Sequence, residues 1–268
     1  MRVRDHQMTA SPSERLTQLL RAHDSTEDEA VRALTPEARS KFASLWQRRA
    51  QNELSTSRVF VQLDAELRLF GAPNEVLELS ARAVDDEIFH AELCSWAAKV
   101  YRTTSEPLTR LPEPAQPSFP VCSPRLHRAL FAALHSAVNE TLAVTYLAAC
   151  LAEAQSGVAR SVVRTILSDE VRHSRIGWAV LGSPQLTTQD RASIAHFMPA
   201  LLDICVSAWL ADTERDYPDD LPVGHGCITH VAIAASVGDA LRSVILPGLE
   251  HVGVDATAAR SWVEQTRR

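Results

Sequence analysis

The sequence predicts an all-α fold, and three observations favour it. Apolar residues recur at intervals of three and four over four long stretches, which is the period of an amphipathic helix. Only nine of the 268 residues are glycine, and glycine is the common residue least suited to a helix interior after proline. No stretch shows the alternating pattern of a half-buried strand. We therefore expect a four-helix bundle with one long crossover and additional C-terminal helices.

The first half of the chain predicts a helical hairpin. Its first helix covers about residues 36–70, and the sequence Gly-Ala-Pro directly after it ends the helix. Its second helix covers about residues 74–101, with Asn74 as the expected N-cap. The apolar stripe of this second helix includes Glu87 and His90. Two residue types that bind metals thus lie where a core is expected.

The second half of the core repeats this pattern. Six prolines between residues 102 and 124 favour an extended crossover. The third helix covers about residues 124–155 and the fourth about residues 157–182. Each carries polar residues of metal-binding type on its apolar stripe. These residues are Glu140 on the third helix, and Glu170 and His173 on the fourth.

The chain is interpreted as one domain with an extension, because its length suits one large core as well as two smaller ones. Residues 1–36 are polar and are expected to form an N-terminal extension, partly flexible, with a short helix around residues 14–23. Residues 37–268 are expected to form a single helical domain. Its core bundle covers residues 38–182, and its additional helices cover residues 188–267.

Three further helices are predicted after the core bundle. They cover about residues 188–211, 228–250 and 256–266. Pro247 and Gly248 should break or kink the second of them.

Composition excludes several classes of partner. The formal net charge is −6 and no stretch clusters Lys and Arg, so no nucleic acid partner is expected. No apolar run reaches the ~20 residues of a membrane span, and the N-terminus lacks a secretory signal. We therefore expect a cytoplasmic protein. The five cysteines are odd in number and form no CxxC pair, which indicates buried, reduced thiols.

Two of the helices carry the motif Glu-x-x-His, and each motif follows a helix with one glutamate on its apolar stripe. Residues three apart lie on one face of a helix, so each motif points a carboxylate and an imidazole the same way. One such motif is weak evidence, because both residue types are common on solvated faces. If all these residues were unligated, however, four carboxylates would interrupt apolar stripes without partners, which is costly. The predicted metal ligands are Glu53, Glu87, His90, Glu140, Glu170 and His173.

With these residues the chain resembles the ferritin-like superfamily of di-iron and di-manganese carboxylate proteins over about residues 42–181. The resemblance implies that the six residues bind two iron ions and carry the catalysis, with O₂ as co-substrate. Manganese or a mixed pair are alternatives, since a shell of carboxylates and imidazoles suits either metal better than structural zinc. It further implies that Asp86 and Asp169 each accept a hydrogen bond from the ligand histidine of the opposite motif. The alternative is two solvated aspartates.

The resemblance implies an oxidoreductase, a non-haem di-iron oxygenase or oxidase that acts on a small or medium organic substrate. The long segment after Gly182 favours an oxygenase or oxidase over a plain storage subunit, because extra helices can cover a substrate site. A ferroxidase or iron-handling protein is the alternative. A scaffold that has lost its metals is disfavoured, because every ligand position is filled. An electron-donor protein and a homodimer are compatible with this function, and the substrate itself is left open.

Overall fold

The computed structural model describes residues 28–102, 123–216 and 221–266, with side chains for all of them except residues 212–216. Every regular element in these ranges is helical and none is a strand, which confirms the all-α prediction. The short helix expected around residues 14–23 and nearly all of the crossover lie outside the described ranges.

The helices follow one another along the chain with few long connections. They are α1 (Glu29–Arg32), α2 (Pro36–Phe70), α3 (Asn74–Tyr101), α4 (Pro124–Ala132), a first π segment (Ala133–Val138), α5 (Asn139–Glu153), α6 (Gly157–Leu181), α7 (Thr188–Asp216), α8 (His230–Ala240), a second π segment (Leu241–Ile245), α9 (Leu246–His251) and α10 (Thr257–Gln265). The bounds of α2, α3 and α6 agree with the prediction, and α7 is longer than predicted. The helix is disturbed close to Pro247, as expected, by the second π segment, which ends two residues before that proline.

The ends of α2 follow the signals in the sequence, whereas the start of α3 does not. Thr35 caps α2 by accepting a hydrogen bond from the amide of Ala38, and Gly71 ends it with a left-handed φ of 80°. The prediction that Asn74 caps α3 is wrong. Pro73 occupies the cap position with an extended backbone, and Asn74 is the first helical residue. The fixed φ of proline places the chain in the cap conformation one residue earlier.

Two helical hairpins build the core. Helices α2 and α3 pack along their length, as do α5 and α6, and α3 also packs against α6. Helix α8 covers α5, and α10 packs on α7. Buried apolar residues from all these helices form one continuous core. Residues at the end of the predicted extension join it, because Val31 is buried and Asp28 accepts hydrogen bonds from Ser156 Oγ and the Val158 amide.

The first π segment brings the chain before α5 into backbone contact with α6. The hydroxyl of Ser136 donates to the carbonyl of His173 at 2.5 Å and accepts from the amide of Gly177 at 2.7 Å. In an ordinary α-helix this carbonyl and amide bond to each other. A Cβ on Gly177 would lie 2.5 Å from the Ala132 carbonyl oxygen and 2.9 Å from Ala137 Cα. Only glycine fits there.

Two described helical stretches, Thr188–Ala211 and His230–His251, are long and apolar enough to cross a membrane. Buried helices of globular proteins meet the same criterion, and both stretches contribute side chains to the core. They are weak evidence for a membrane span, and the expectation of none stays a prediction.

Candidate metal centre

The six predicted ligands come from both hairpins and lie together in the core. Five of them are buried, and the Glu53 side chain is 15% exposed. The centre therefore has one edge nearer to solvent, on the side of α2. Helix α2 supplies Glu53, α3 supplies Glu87 and His90, α5 supplies Glu140, and α6 supplies Glu170 and His173.

Four of these residues form one compact group. Glu53, Glu87, His90 and Glu170 each offer one ligand atom, and these atoms all lie within 4.8 Å of one another. The Nδ1 atom of His90 is 3.2 Å from Glu170 Oε1 and 3.8 Å from Glu53 Oε2. Such a group could hold a metal ion.

The other two residues adjoin this group through the same two glutamates. The Nδ1 atom of His173 lies 2.9 Å from Glu87 Oε1 and 2.9 Å from Glu170 Oε2. Burial, and then the charge of Glu170, raises the pKa of Glu140, so these two carboxyl groups lie close together. Glu87 and Glu170 therefore face both histidines, which is the position of ligands shared between two metal ions.

Several polar atoms in the cluster have lone pairs that the described residues do not satisfy. Both carboxylate oxygens of Glu87 and the Nδ1 atom of His90 are buried without a well-aligned hydrogen bond in the described ranges, despite the short distances to His173 and Glu170. Each such atom costs about 1–3 kcal/mol when it stays unpaired. A cation accepts the lone pairs of all three. The donor set, four carboxylates and two imidazoles without a thiolate, fits a pair of divalent metal ions such as iron or manganese.

The pKa values of the cluster show how the protein balances its charge with protons. Burial, and then the charge of neighbouring carboxylates, raises the pKa of Glu53 and of Glu140 well above the usual range. Burial opposes ionisation of Glu170 too, but the charge and hydrogen bond of His173 lower its pKa. Burial would lower the pKa of both histidines, yet Glu170 raises it in each. Protons thus occupy the places that metal ions would take.

Two aspartates lie beside the Nε2 atoms of the histidines, on the side of each ring away from the glutamates. His90 Nε2 lies 3.2 Å from Asp169 Oδ2, and His173 Nε2 lies 3.5 Å from Asp86 Oδ2. The structure thus places each aspartate beside the histidine of the opposite motif, where the resemblance implied it. A histidine that binds a metal ion through Nδ1 carries its proton on Nε2, so with metal bound each ring would face its aspartate with an N–H group.

Arg172 contacts these two aspartates and was not predicted from the sequence. Its guanidinium group forms an ion pair with Asp169 and lies 4.0 Å from Asp86 Oδ2. Arg82 Nε is 3.4 Å from the same oxygen of Asp86. The signal in the sequence is spacing, because Arg172 follows Asp169 by three residues and so shares its face of the helix.

Replacing either aspartate should weaken metal binding. We expect Asp86→Asn and Asp169→Asn each to lower affinity by about 10–100-fold, because an amide leaves the imidazole tautomer and orientation less well defined. Asp85→Asn is the matched control, since Asp85 is exposed on the same helix. Competition with a chelator measures the affinities. Equal affinities for all three variants would show that the aspartates do not support the ligands.

A half-buried arginine on α2, Arg49, also lies near the centre and was not predicted. The signal for Arg49 in the sequence is the gap in the helical stripe between Trp46 and Glu53, which this position fills. The thiols of Cys94, Cys150 and Cys227 are buried around its guanidinium group. All three cysteines are reduced, as expected.

A second metal site at His225, Cys227 and His230 was disfavoured on the sequence. His225 Nδ1 lies 3.0 Å from the Tyr101 hydroxyl, and its ring packs on Phe42. These three residues form no metal-binding group in the described part of the chain.

Comparisons with known proteins add nothing to these observations. The sequence matches no protein-family profile, no curated protein and no solved structure. The geometry of the cluster is therefore the basis for the function proposed below.

Proposed function

We propose that this chain is a ferritin-like four-helix bundle whose six ligands hold two iron ions, and that the centre uses O₂ to oxidise a small or medium organic substrate. Manganese or a mixed pair are the alternatives for the metal. One observation carries the proposal: Glu87 and Glu170 lie between two histidines inside an apolar core. A pair of metal ions explains both the shared glutamates and the unpaired lone pairs.

Charge supports a pair of divalent ions. Four ionised glutamates and two neutral histidines carry a total charge of −4, which two divalent cations balance. A buried centre without net charge avoids the high cost of transferring an uncompensated ion from water. In the metal-free protein, protons provide part of this balance, since burial and neighbouring carboxylates raise the pKa of Glu53 and of Glu140.

The bound metals would supply the redox chemistry with O₂. The protein's own side chains would position the metal ions and their ligands. Glu87 and Glu170 would hold both ions, Asp86 and Asp169 would fix the orientation of the histidine rings, and the apolar helices would keep bulk water away. Insertion of one oxygen atom from O₂ into an organic substrate consumes two further electrons and two protons, and releases water. An electron-donor protein is therefore part of the proposal.

The partly exposed Glu53 indicates where small molecules would enter. Its side chain is 15% exposed, whereas the other carboxylates in contact with the histidines are at most 4% exposed. We expect O₂ and substrate to reach the centre along the α2 edge.

The proposal is tested by adding ferrous iron without oxygen, counting bound metal, and then mixing with O₂ while the visible spectrum is recorded. We expect about two irons per chain, as for other proteins with this ligand set, and a transient absorption band. Failure to bind iron would overturn the proposal. Continued iron oxidation well beyond two irons per chain, leaving a mineral, would replace it with the ferroxidase alternative.

A further inference from the structure

Within the described ranges, the guanidinium group of Arg49 forms no ion pair with a carboxylate. Its Nη2 atom donates to the Tyr146 hydroxyl at 2.6 Å and to the Gly226 carbonyl at 3.1 Å. Its Nη1 atom is buried and has no hydrogen-bond partner in the described ranges. Both acceptors are neutral. The groups that act on its charge most strongly are Tyr146 and the neighbouring thiols, none of which is a carboxylate.

An arginine is charged at every relevant pH. The Trp46 ring, 4.8 Å from the guanidinium carbon, offsets only part of the cost of burying this charge. The four glutamates of the metal centre are acidic groups for which a cation would be the partner. Arg49 is a half-buried cation for which an anion would be the partner.

Arg49 is close to the proposed metal centre, one helical turn from the partly exposed Glu53. It precedes Glu53 by four residues on α2, so the two positions share one face and lie about 6 Å apart along the helix axis. Cys94, four residues after His90 on α3, interacts electrostatically with both Glu53 and Arg49 and so lies near both. Arg49 and Tyr146 are half-buried. Glu53 is half-buried as well, so all three side chains keep some exposure to solvent.

We propose that Arg49 binds the carboxylate of the substrate, through Nη1, with the rest of the substrate extending towards Glu53. The substrate class is then a monocarboxylic acid with an apolar chain. A planar guanidinium group matches a carboxylate well, and one positive charge beside a neutral centre matches a single negative charge. The role of this anion as the substrate rests on the proposed function, whereas its binding at Arg49 does not.

The test is calorimetric binding of three probes to the full chain, with and without iron: octanoate, octanamide and 1-octanol. We expect octanoate to bind at least about 10-fold more tightly than either uncharged probe, as for a charge-assisted hydrogen bond. From butanoate to octanoate the affinity should rise about fourfold per methylene group. Equal affinities for octanoate and 1-octanol would overturn the proposal.

Variants give a second measurement. Arg49→Gln should weaken octanoate binding at least about 10-fold and leave 1-octanol binding unchanged. Arg68→Gln is the matched control, because Arg68 is an exposed arginine of the same helix, paired with Asp64. We expect it to bind octanoate like the wild type. Octanoate binding to Arg49→Gln at wild-type affinity would refute the role of Arg49. The probe series on the wild-type chain remains decisive if this variant fails to fold.

The two proposals can fail separately. Selective octanoate binding to a chain that takes up no iron would support the anion site and overturn the metal centre. Iron binding without selectivity for octanoate would support the metal centre and overturn the anion site.

Discussion

Glu87→Gln should abolish the binding of at least one of the two metal ions. Glu87 contacts His173 at 2.9 Å and belongs to the compact group around His90, so its carboxylate serves both proposed metal positions. The neutral amide removes one negative charge from the centre and leaves a single oxygen where two served the two metal positions. We expect about one iron or less per chain after gel filtration, against about two for the wild type, and no transient absorption band with O₂.

Stability measurements separate the loss of a ligand from misfolding. The glutamine variant lacks one buried carboxylate that the metal-free protein must compensate, so without iron it should melt no lower than the wild type. Iron should raise the melting temperature of the wild type, since a ligand at 1,000 times its dissociation constant stabilises by about 4 kcal/mol. Iron should raise the melting temperature of the Glu87→Gln variant far less. Glu92→Gln, on the exposed face of α3, should behave like the wild type. An unchanged iron count in Glu87→Gln would disprove the shared position of this ligand.

The positions of the helices could be predicted because the pattern of apolar residues is a local property of the sequence. The same pattern indicated the six candidate ligands, since Glu and His on an apolar stripe conflict with a core unless a cation binds them. Their convergence needed one further assumption, that the two hairpins face each other. The ring centroids of His90 and His173 lie 5.8 Å apart. The two hairpins therefore face each other where the Glu-x-x-His motifs lie.

Other features could not be predicted because they depend on contacts between helices. The first π segment has no signature in the sequence: Ser136 inserts its hydroxyl between a carbonyl and an amide of α6. The order of preference for helix caps favoured Asn74, but the backbone of the preceding proline decided the cap. Arg49 was overlooked because a charged residue on a stripe is ordinarily assigned to the surface. Only its neighbours show that the guanidinium group is enclosed.

Gly177→Ala should destabilise the protein by about 3 kcal/mol or more, at the upper end of the range for overpacked cores. The added Cβ would meet backbone atoms of Ala132 and Ala137, which cannot move aside as a flexible side chain can. Helix α6 would have to shift away from the first π segment. The melting temperature should fall by about 6–12 °C for a chain of this size. Gly157→Ala is the matched control on the same helix, because its Cβ would lie 3.8 Å from the nearest atom, in ordinary contact. We expect it to be neutral or slightly stabilising.

The Gly177→Ala substitution should also weaken metal binding. The hydroxyl of Ser136 bonds to the carbonyl of His173, and Glu140 follows Ser136 by four residues. A shift of α6 therefore changes the distance between Glu140 and the ligands Glu170 and His173. We expect iron affinity to fall in Gly177→Ala and to stay unchanged in Gly157→Ala, as measured by chelator competition below the melting range. Wild-type stability and affinity in Gly177→Ala would show that α6 can move without cost, and that the close contact at this glycine does not set the spacing of the ligands.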